Sequence, residues 1–409
     1  MNFVSLEAPI FRFALFCALV LLVGSAAFTR FLEPAGGAQP EGSAQRTARL
    51  FAWLHRLGAF GVVAVSVLDI GFTAQRALGE LSPYLYGAYL TRTWNGQWVM
   101  LRLVVVVALL WLGVRPRAEW QELLPRAQPW LERGVFVTLS VLAAVTLSMT
   151  SHAGARGEVW PILSDLVHLV AMLAWVGAVL FTSLYAFGQP RTGVNVLERV
   201  SSIALVAVGV IALSGAFSSL VRLWHPALLT ITSYGQAWVF KVALVAATLA
   251  LAGINRFVWM PRLRRAPSQL PSFQRFMRVE VAMLALILAA TGALTSTAPP
   301  ERGAGLKASV AFKQSAGGYT LEGVADPTPL GGARLEFSVL GAGGQPIAAD
   351  TRVQGVFDMS SHGMGPLTLE VRALGAGRFE TEGFFGQTGD FDAVIKIPQA
   401  TWRVVMPSR

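Results

Sequence analysis

The sequence predicts an all-α polytopic membrane bundle of about eight transmembrane helices, followed by a small all-β sandwich domain. Of the 409 residues, 54% are hydrophobic and only 14% are charged, whereas a soluble globular protein carries about 25% charged residues. Long apolar runs fill the chain up to about Pro299 and then stop. We therefore expect a transmembrane domain at 1–298 and a separate polar domain at 299–409.

Eight apolar segments approach or exceed the roughly 20 residues that a helix needs to cross the hydrocarbon core of a bilayer. The first of them has the apolar character of a signal peptide, but no small-residue cleavage site follows it, so we predict a first span. The eight predicted spans are Pro9–Phe28, Leu50–Phe72, Trp98–Val114, Leu131–Thr150, Ile162–Phe187, Ser202–Leu223, Ala237–Met260 and Phe276–Leu294.

The arginines that flank these spans predict their orientation. Sixteen lie in or beside the loops after the first, third, fifth and seventh spans, and only six lie on the opposite side. Cytoplasmic loops of membrane proteins carry the excess of Lys and Arg. Both termini and the C-terminal domain are therefore predicted to be extracytoplasmic. Because the net charge of +10 is spread over short loops, it does not indicate nucleic-acid binding.

The C-terminal part alternates apolar with polar or small residues, the pattern of half-buried strands. The clearest examples are "ARLEFSVLG", "LTLEVRALG" and "FDAVIKI", which are separated by the turn-forming stretches "DPTPLGG" and "GAGGQP". About 100 residues of short strands at this spacing are typical of a small sandwich.

The fifth span begins "SDLVHLVAMLAWVG" and carries ionisable residues near its outer end. On a helix, Asp165, His168 and Met172 lie within an arc of about 60°. Ionisable groups inside a membrane are costly and usually functional, so the three form a candidate site. The alternative is a hydrogen-bonded Asp–His pair that ties helices together.

Four other polar residues fall near the same side of the membrane. Asp69 is near the outer end of the second span, and His152 and His225 lie in outer loops, where a helix-capping or solvated role is the alternative. Lys241 lies near the outer end of the seventh span. It is either a counter-charge to Asp69 or Asp165, or it extends its amine to the interface.

The residue types favour copper as the ligand. Imidazole binds several transition metals, whereas the thioether of Met selects Cu(I). The one cysteine, Cys17, lies in an apolar run, so no Cys cluster is expected. Cu(I) is favoured and Cu(II) is the alternative; protons are the other candidate, because an Asp–His pair is also suited to a proton relay.

A second candidate copper site lies in the C-terminal domain, in "FDMSSHGMGPLTLEV". Met359, His362 and Met364 fall within six residues, between Ser and Gly residues that would let a loop wrap around an ion. The alternative is a β-turn whose methionines fill the core of the sandwich.

The region 135–294 resembles the copper resistance protein D (CopD) family of bacterial inner-membrane proteins. The matching stretches are "SHAG" at 151–154, "DLVHLVAMLAWVGAVL" at 165–180 and "TSYGQAWVFKVALVAATLALAGINRFVWMPRL" at 232–263, while the helices before 135 match more loosely. The tail resembles YtkA-like and CopC-type copper-binding sandwiches through "FDMSSHGMGP". It lacks the N-terminal His that is typical of CopC proteins.

The resemblance implies a multi-pass protein of the bacterial inner membrane that handles copper. We expect inward transport from the extracytoplasmic side, with His168, His152, Asp165 and Met172 at the outer site and a periplasmic copper chaperone as a candidate partner. Alternatives are copper delivery to a membrane copper enzyme without net transport and a haem-bearing redox protein. No nucleophile, base and orienting group occur together, so we expect no enzyme activity.

Overall fold

The chain forms two compact units in the computed structural model. The first unit comprises 7–221 and 239–296, and the second comprises 222–238 together with the C-terminal part from 297. The structure describes residues 7–33, 41–78, 83–114, 129–151, 154, 158–188, 190–266, 269–297, 299–300, 306, 308–328, 332–348, 351–359, 364–384 and 391–406.

Eleven α-helices occupy the described part of the chain before residue 297. They are α1 (Glu7–Ala27), α2 (Glu41–Leu78), α3 (Pro83–Arg92), α4 (Trp94–Val114), α5 (Pro129–Met149), α6 (Val159–Gly188), α7 (Pro190–Arg222), α8 (Leu228–Ile231), α9 (Ser233–Ile254), α10 (Met260–Arg265) and α11 (Leu270–Ser296). Within the described residues, eight helical segments are long and apolar enough to cross a membrane. The predicted eight-helix membrane bundle is confirmed.

Helix α1 lies at the centre of the bundle and packs against α2, α6 and α11. Its approach to α6 depends on two glycines, because a Cβ on Gly24 would lie only 2.9 Å from the Cα of Gly177. Lipid chains are as apolar as the helix surfaces, so helices in a membrane associate through close packing at small residues and through polar contacts. The α1–α6 contact is an example of close packing at small residues.

Two π-helical turns interrupt the regular helices. Phe28–Leu32 continues α1, and Asn255–Trp259 joins α9 to α10. In the second turn the N–H of Met260 donates to the carbonyl oxygen of Asn255, five residues earlier. Such wide turns are rare in helices and often mark functional sites.

Among the described residues of the C-terminal part, nine strands form two antiparallel sheets. They are β1 (Val310–Ala316), β2 (Tyr319–Pro327), β3 (Gly332–Leu340), β4 (Gln354–Met359), β5 (Met364–Leu369), β6 (Val371–Gly375), β7 (Arg378–Phe384), β8 (Phe391–Ile397) and β9 (Ala400–Met406). The strand orders are β1-β2-β3-β7-β6 and β5-β4-β8-β9. The predicted β domain after the bundle is confirmed.

Both sheets contribute to one hydrophobic core, so they pack face to face as a sandwich. Leu335 and Phe337 of β3 join Ile395 of β8 and Trp402 of β9 in that core. The β1–β2 hairpin turns at Gly317 and Gly318, whose φ angles are 60° and 81°. Positive φ at both central residues is the geometry of the tight hairpin turn whose twist matches the strands.

Candidate functional site

The predicted outer parts of α6 and α7 meet along a line of polar side chains. The hydroxyl of Ser164 donates to the carbonyl oxygen of Ser214 at 3.0 Å and lies 3.1 Å from the hydroxyl of Ser218. His168 Nδ1 lies 3.0 Å from Ser214 Oγ. Residues four apart share a helix face, so each helix contributes two of these side chains. We call Ser164, His168, Ser214 and Ser218 the α6–α7 seam.

The Ser214 hydroxyl has two kinds of neighbour. It is buried and lies 2.7 Å from the carbonyl oxygen of Val210 and 3.2 Å from that of Ile211, in addition to Nδ1 of His168. When it donates to α7, its oxygen accepts the Nδ1–H of His168. In that tautomer of the neutral imidazole the lone pair lies on Nε2, the form in which histidine binds metals while its other nitrogen is held by a neighbouring group.

Asp165 and Met172 lie on the same helix as His168, and both are half-buried. Met172 packs against the main hydrophobic core of the bundle. Asp165 comes three residues before His168 and Met172 four residues after it, so the three residues follow one side of α6. All three residues lie within α6, so their shared face stays a prediction from helical spacing.

Asp69 belongs to a separate polar group near the same predicted outer side. It interacts electrostatically with Arg102 of α4, whose side chain is only 1% exposed. The Arg102 guanidinium donates to the hydroxyl and carbonyl oxygens of Thr146 at 3.2 and 3.0 Å and to the hydroxyl of Thr150 at 2.7 Å. This arginine links α4 to α5, a structural role that the sequence alone did not indicate.

The remaining outer candidates divide into three cases. His152 lies outside the described residues. Lys241 is half-buried on α9. His225 is exposed, and its Nδ1 accepts the backbone N–H of Ala227 at 3.2 Å. A histidine that caps its own turn in this way has a local structural role.

The candidate residues of the C-terminal domain lie at the β4–β5 hairpin. Met359 ends β4 and Met364 begins β5, and the strand register pairs the two residues directly opposite each other. His362 lies outside the described residues, in the connection between these strands.

Sequence analysis missed a polar cavity at the predicted cytoplasmic end of α1, α2, α4 and α5. The cavity has a volume of about 340 Å³, and Arg30, His55 and Glu132 contribute to its lining. Arg30 pairs with Glu132 at 3.0 Å and donates to the carbonyl oxygen of Leu112 at 3.0 Å. His55 Nδ1 lies 2.8 Å from the carbonyl oxygen of Leu22. These bonds tie four helices together.

A second missed group surrounds Glu280 on α11, whose side chain is 5% exposed. The side-chain amide of Asn255 donates to one of its carboxylate oxygens. Both residues line a cavity of about 260 Å³. An acidic residue within the apolar run "VEVAMLALILAA" is the sequence signal that would have identified Glu280.

Among the described residues, no three His, Cys, Asp or Glu side chains lie close enough together to hold a metal ion as a cluster. A copper site built from one imidazole and thioethers falls outside that description, because Met is not one of those residue types.

Two family descriptions match separate parts of the chain. The N-terminal domain of copper resistance protein D-like proteins matches residues 5–160, and copper resistance protein D matches residues 194–294. Over these two stretches the membrane-spanning part is similar to copper resistance protein D. The match at 5–160 also includes the helices before 135, whose sequence resembles the family more loosely than the region 135–294 does. Both matches end before the first strand, so the YtkA-like character of the tail stays a prediction.

Two curated relatives are similar to the chain. The chain is 25% identical over 293 residues to the inner membrane protein YebZ of Escherichia coli, covering 70% of this chain and 97% of that protein. It is 27% identical over 275 residues to the copper resistance protein D of Pseudomonas syringae pv. tomato, covering 62% and 83% respectively. No solved structure matches significantly. The eight spans and the E. coli relative support the predicted multi-pass inner-membrane location.

Proposed function

We propose that this protein carries copper inward across the inner membrane and that the α6–α7 seam is its outer binding site. In this proposal His168 binds the metal through Nε2, and Met172 offers the next ligand, one turn further along α6. Asp165 supplies a negative charge beside a cation. The C-terminal domain and both termini then lie outside the cytoplasm, as the arginine distribution predicts.

The observation that carries the proposal is the hydrogen bond between His168 Nδ1 and Ser214 Oγ. A metal-binding histidine needs its lone pair on the coordinating nitrogen, and a neighbour that accepts the other N–H favours that form. Ser214 can accept it from the neighbouring helix when its hydroxyl donates to the carbonyl oxygen of Val210, 2.7 Å away. The thioether of Met172 favours Cu(I) over Cu(II) as the transported ion. In this proposal the protein binds and transfers the metal and does not catalyse a chemical reaction.

The test is copper accumulation in cells that lack the protein and are complemented with variants. His168→Gln should abolish the protein-dependent accumulation, because the amide keeps the polarity but removes the coordinating nitrogen. Met172→Leu should give a smaller defect in the same direction, and Asp165→Asn should weaken uptake by removing the negative charge.

His225→Gln is the matched control, because this exposed histidine caps its own turn and should leave accumulation unchanged. Full accumulation by a normally expressed His168→Gln protein would contradict the proposal and would leave His168 as a helix-to-helix contact.

The β4–β5 hairpin favours a second candidate function, copper delivery to a membrane or periplasmic copper enzyme without net transport. The register brings Met359 and Met364 side by side at the hairpin, and a periplasmic chaperone could load such a site. Delivery alone predicts that loss of the protein lowers the activity of a copper enzyme but leaves cytosolic copper unchanged. Replacing Met359, His362 and Met364 by Ala in the full chain should then reproduce that loss.

A further inference from the structure

The cavity beside Glu280 lies near the predicted cytoplasmic ends of α6, α7, α9 and α11. Its lining includes two thioethers and two oxygen-bearing side chains, those of Met260, Met277, Asn255 and Glu280. Arg256 also lines it, but its guanidinium donates to the carbonyl and hydroxyl oxygens of Ser201 at 3.0 and 2.7 Å. The rest of the lining is largely apolar.

The π-helical turn brings two of these residues to one side. Asn255 and Met260 are five residues apart and would point about 140° away from each other on a regular α-helix. The bond from the Met260 N–H to the Asn255 carbonyl closes a wider turn, in which residues five apart lie closer to one face than they do on an α-helix. Both side chains therefore reach the same cavity. Met277 and Glu280, three apart on α11, do so by ordinary helical spacing.

The polar atoms in this cavity are suited to a cation. Glu280 is almost fully buried in a membrane-spanning helix, where an unbalanced negative charge is costly. Among the described residues its hydrogen-bond donor is the amide of Asn255. The other amide atom, Asn255 Oδ1, is buried without a hydrogen-bond partner in that same set of residues. A bound cation would balance the carboxylate and give the amide oxygen a partner.

We propose that this cavity is a second, inner Cu(I) site, held by the thioethers of Met260 and Met277 with the carboxylate of Glu280 as counter-charge. Two thioethers select a soft monovalent ion over Mg²⁺ or Ca²⁺, which prefer oxygen ligands. The identity of the metal rests on the proposed function.

The position of the cavity connects it with the α6–α7 seam. Trp175 and Val179 of α6 and Val208 of α7 line the cavity, and the same two helices form the seam. Trp175 lies seven residues after His168, or about 10 Å along the helix, and Met172 lies between them. The ion therefore has an outer and an inner binding point along one pair of helices.

The test is anaerobic titration of the purified full-length protein in detergent with Cu(I), in competition with bicinchoninate as a coloured Cu(I) chelator. Met260→Leu combined with Met277→Leu should lose one equivalent of bound Cu(I). Glu280→Gln should weaken the same site about tenfold or more. Met100→Leu is the matched control, because Met100 is 43% exposed on α4 and should bind as the parent does.

The outcomes separate this inference from the proposed function. A folded double methionine variant that binds as many Cu(I) equivalents as the parent overturns the inner site, whatever His168→Gln does. If His168→Gln keeps every equivalent while the double variant loses one, the outer site fails and the inner site stands. Leu keeps the volume of Met in the apolar cluster that both methionines share with Leu197 and Phe273.

A second measurement needs no change at the inner site and covers the case of an unfolded double variant. The protein is labelled with selenomethionine and carries Met172→Leu, Met359→Leu and Met364→Leu to remove the other candidate thioethers. X-ray absorption at the copper edge should then show selenium scattering from the bound Cu(I). Its absence would overturn the inner site.

Discussion

The hydroxyl of Ser214, 46 positions later in the chain, lies 3.0 Å from Nδ1 of His168 and holds the imidazole from the neighbouring helix. The same hydroxyl lies 2.7 Å from the carbonyl oxygen of Val210 on its own helix. Removing a group that hydrogen-bonds the second nitrogen of a metal-binding histidine commonly changes metal affinity 10- to 100-fold. The copper affinity of the proposed outer site is therefore expected to depend on Ser214.

This dependence gives a prediction for Ser214→Ala. The variant should bind Cu(I) at the proposed outer site about tenfold more weakly than the parent, because the imidazole loses the hydrogen bond that orients it. Chelator competition on the purified protein measures the change. Ser140→Ala is the control, since the Ser140 hydroxyl donates to Phe136 within its own helix at 2.8 Å. Equal affinity for the two variants would show that Ser214 does not orient His168.

The buried ion pair between Arg30 and Glu132 gives a second prediction. Glu132→Gln should lower the free energy of unfolding by about 3 kcal/mol, because it removes the carboxylate that lies 3.0 Å from the buried Arg30 guanidinium. Denaturant unfolding in detergent measures the effect. Glu158→Gln, at an exposed position, should change stability by less than about 0.5 kcal/mol. A similar small effect for both variants would mean that the pair is solvated in the folded protein.

At the scale of helices, the packing of α1 on α6 depends on the absence of side chains. Gly24→Val should destabilise the protein by about 1–3 kcal/mol, because its Cβ would press on the backbone of Gly177. Thermal unfolding measures the loss. Gly209→Val on α7 is the matched control, as no atom lies within 4 Å of a Cβ there. If both valine variants unfold at the same temperature, α1 and α6 have room to separate and their packing does not depend on Gly24.

The regular elements follow from local pattern, and the sequence therefore predicts them. The apolar runs gave eight spans, and "FDAVIKI" forms β8 as its alternation indicates. The π-helical turn at Asn255 is different. Its register depends on how α9, α10 and α11 pack, so the 3.6-residue period misplaces Asn255 and Met260 on separate faces. The inner cavity was hidden for that reason.

The candidate site likewise contains residues that local spacing predicts and residues that only packing reveals. Asp165, His168 and Met172 share one helix, so their spacing alone predicts that they share a face. Ser214 and Glu280 acquire their roles from helices far away in sequence, and serine is too common in membrane helices to stand out. The Arg102–Thr146 contacts were equally hidden, because they require knowledge that α4 lies beside α5.

At the scale of the whole molecule, the arginine asymmetry predicts the orientation of every site. A periplasm-active reporter such as alkaline phosphatase, fused after Arg409, should be active, and a reporter that works only in the cytoplasm should be inactive there. A fusion of each reporter within the loop between α6 and α7 should give the reverse result. Activity of the cytoplasmic reporter after Arg409 would show that the predicted orientation is reversed, so that the outer and inner ends of α6 and α7 change places.

The position of β9 has a consequence for the order of biosynthesis. This strand carries Trp402, Val404 and Met406 into the core of the sandwich, and it is synthesised after all eight spans. At about 5–20 residues per second, the domain's roughly 100 residues take about 5–20 s to be made. Throughout that interval the apolar faces of the earlier strands have no β9 to cover them. The sandwich is therefore completed only after all eight spans have been synthesised, and until then its earlier strands expose apolar surface that favours aggregation.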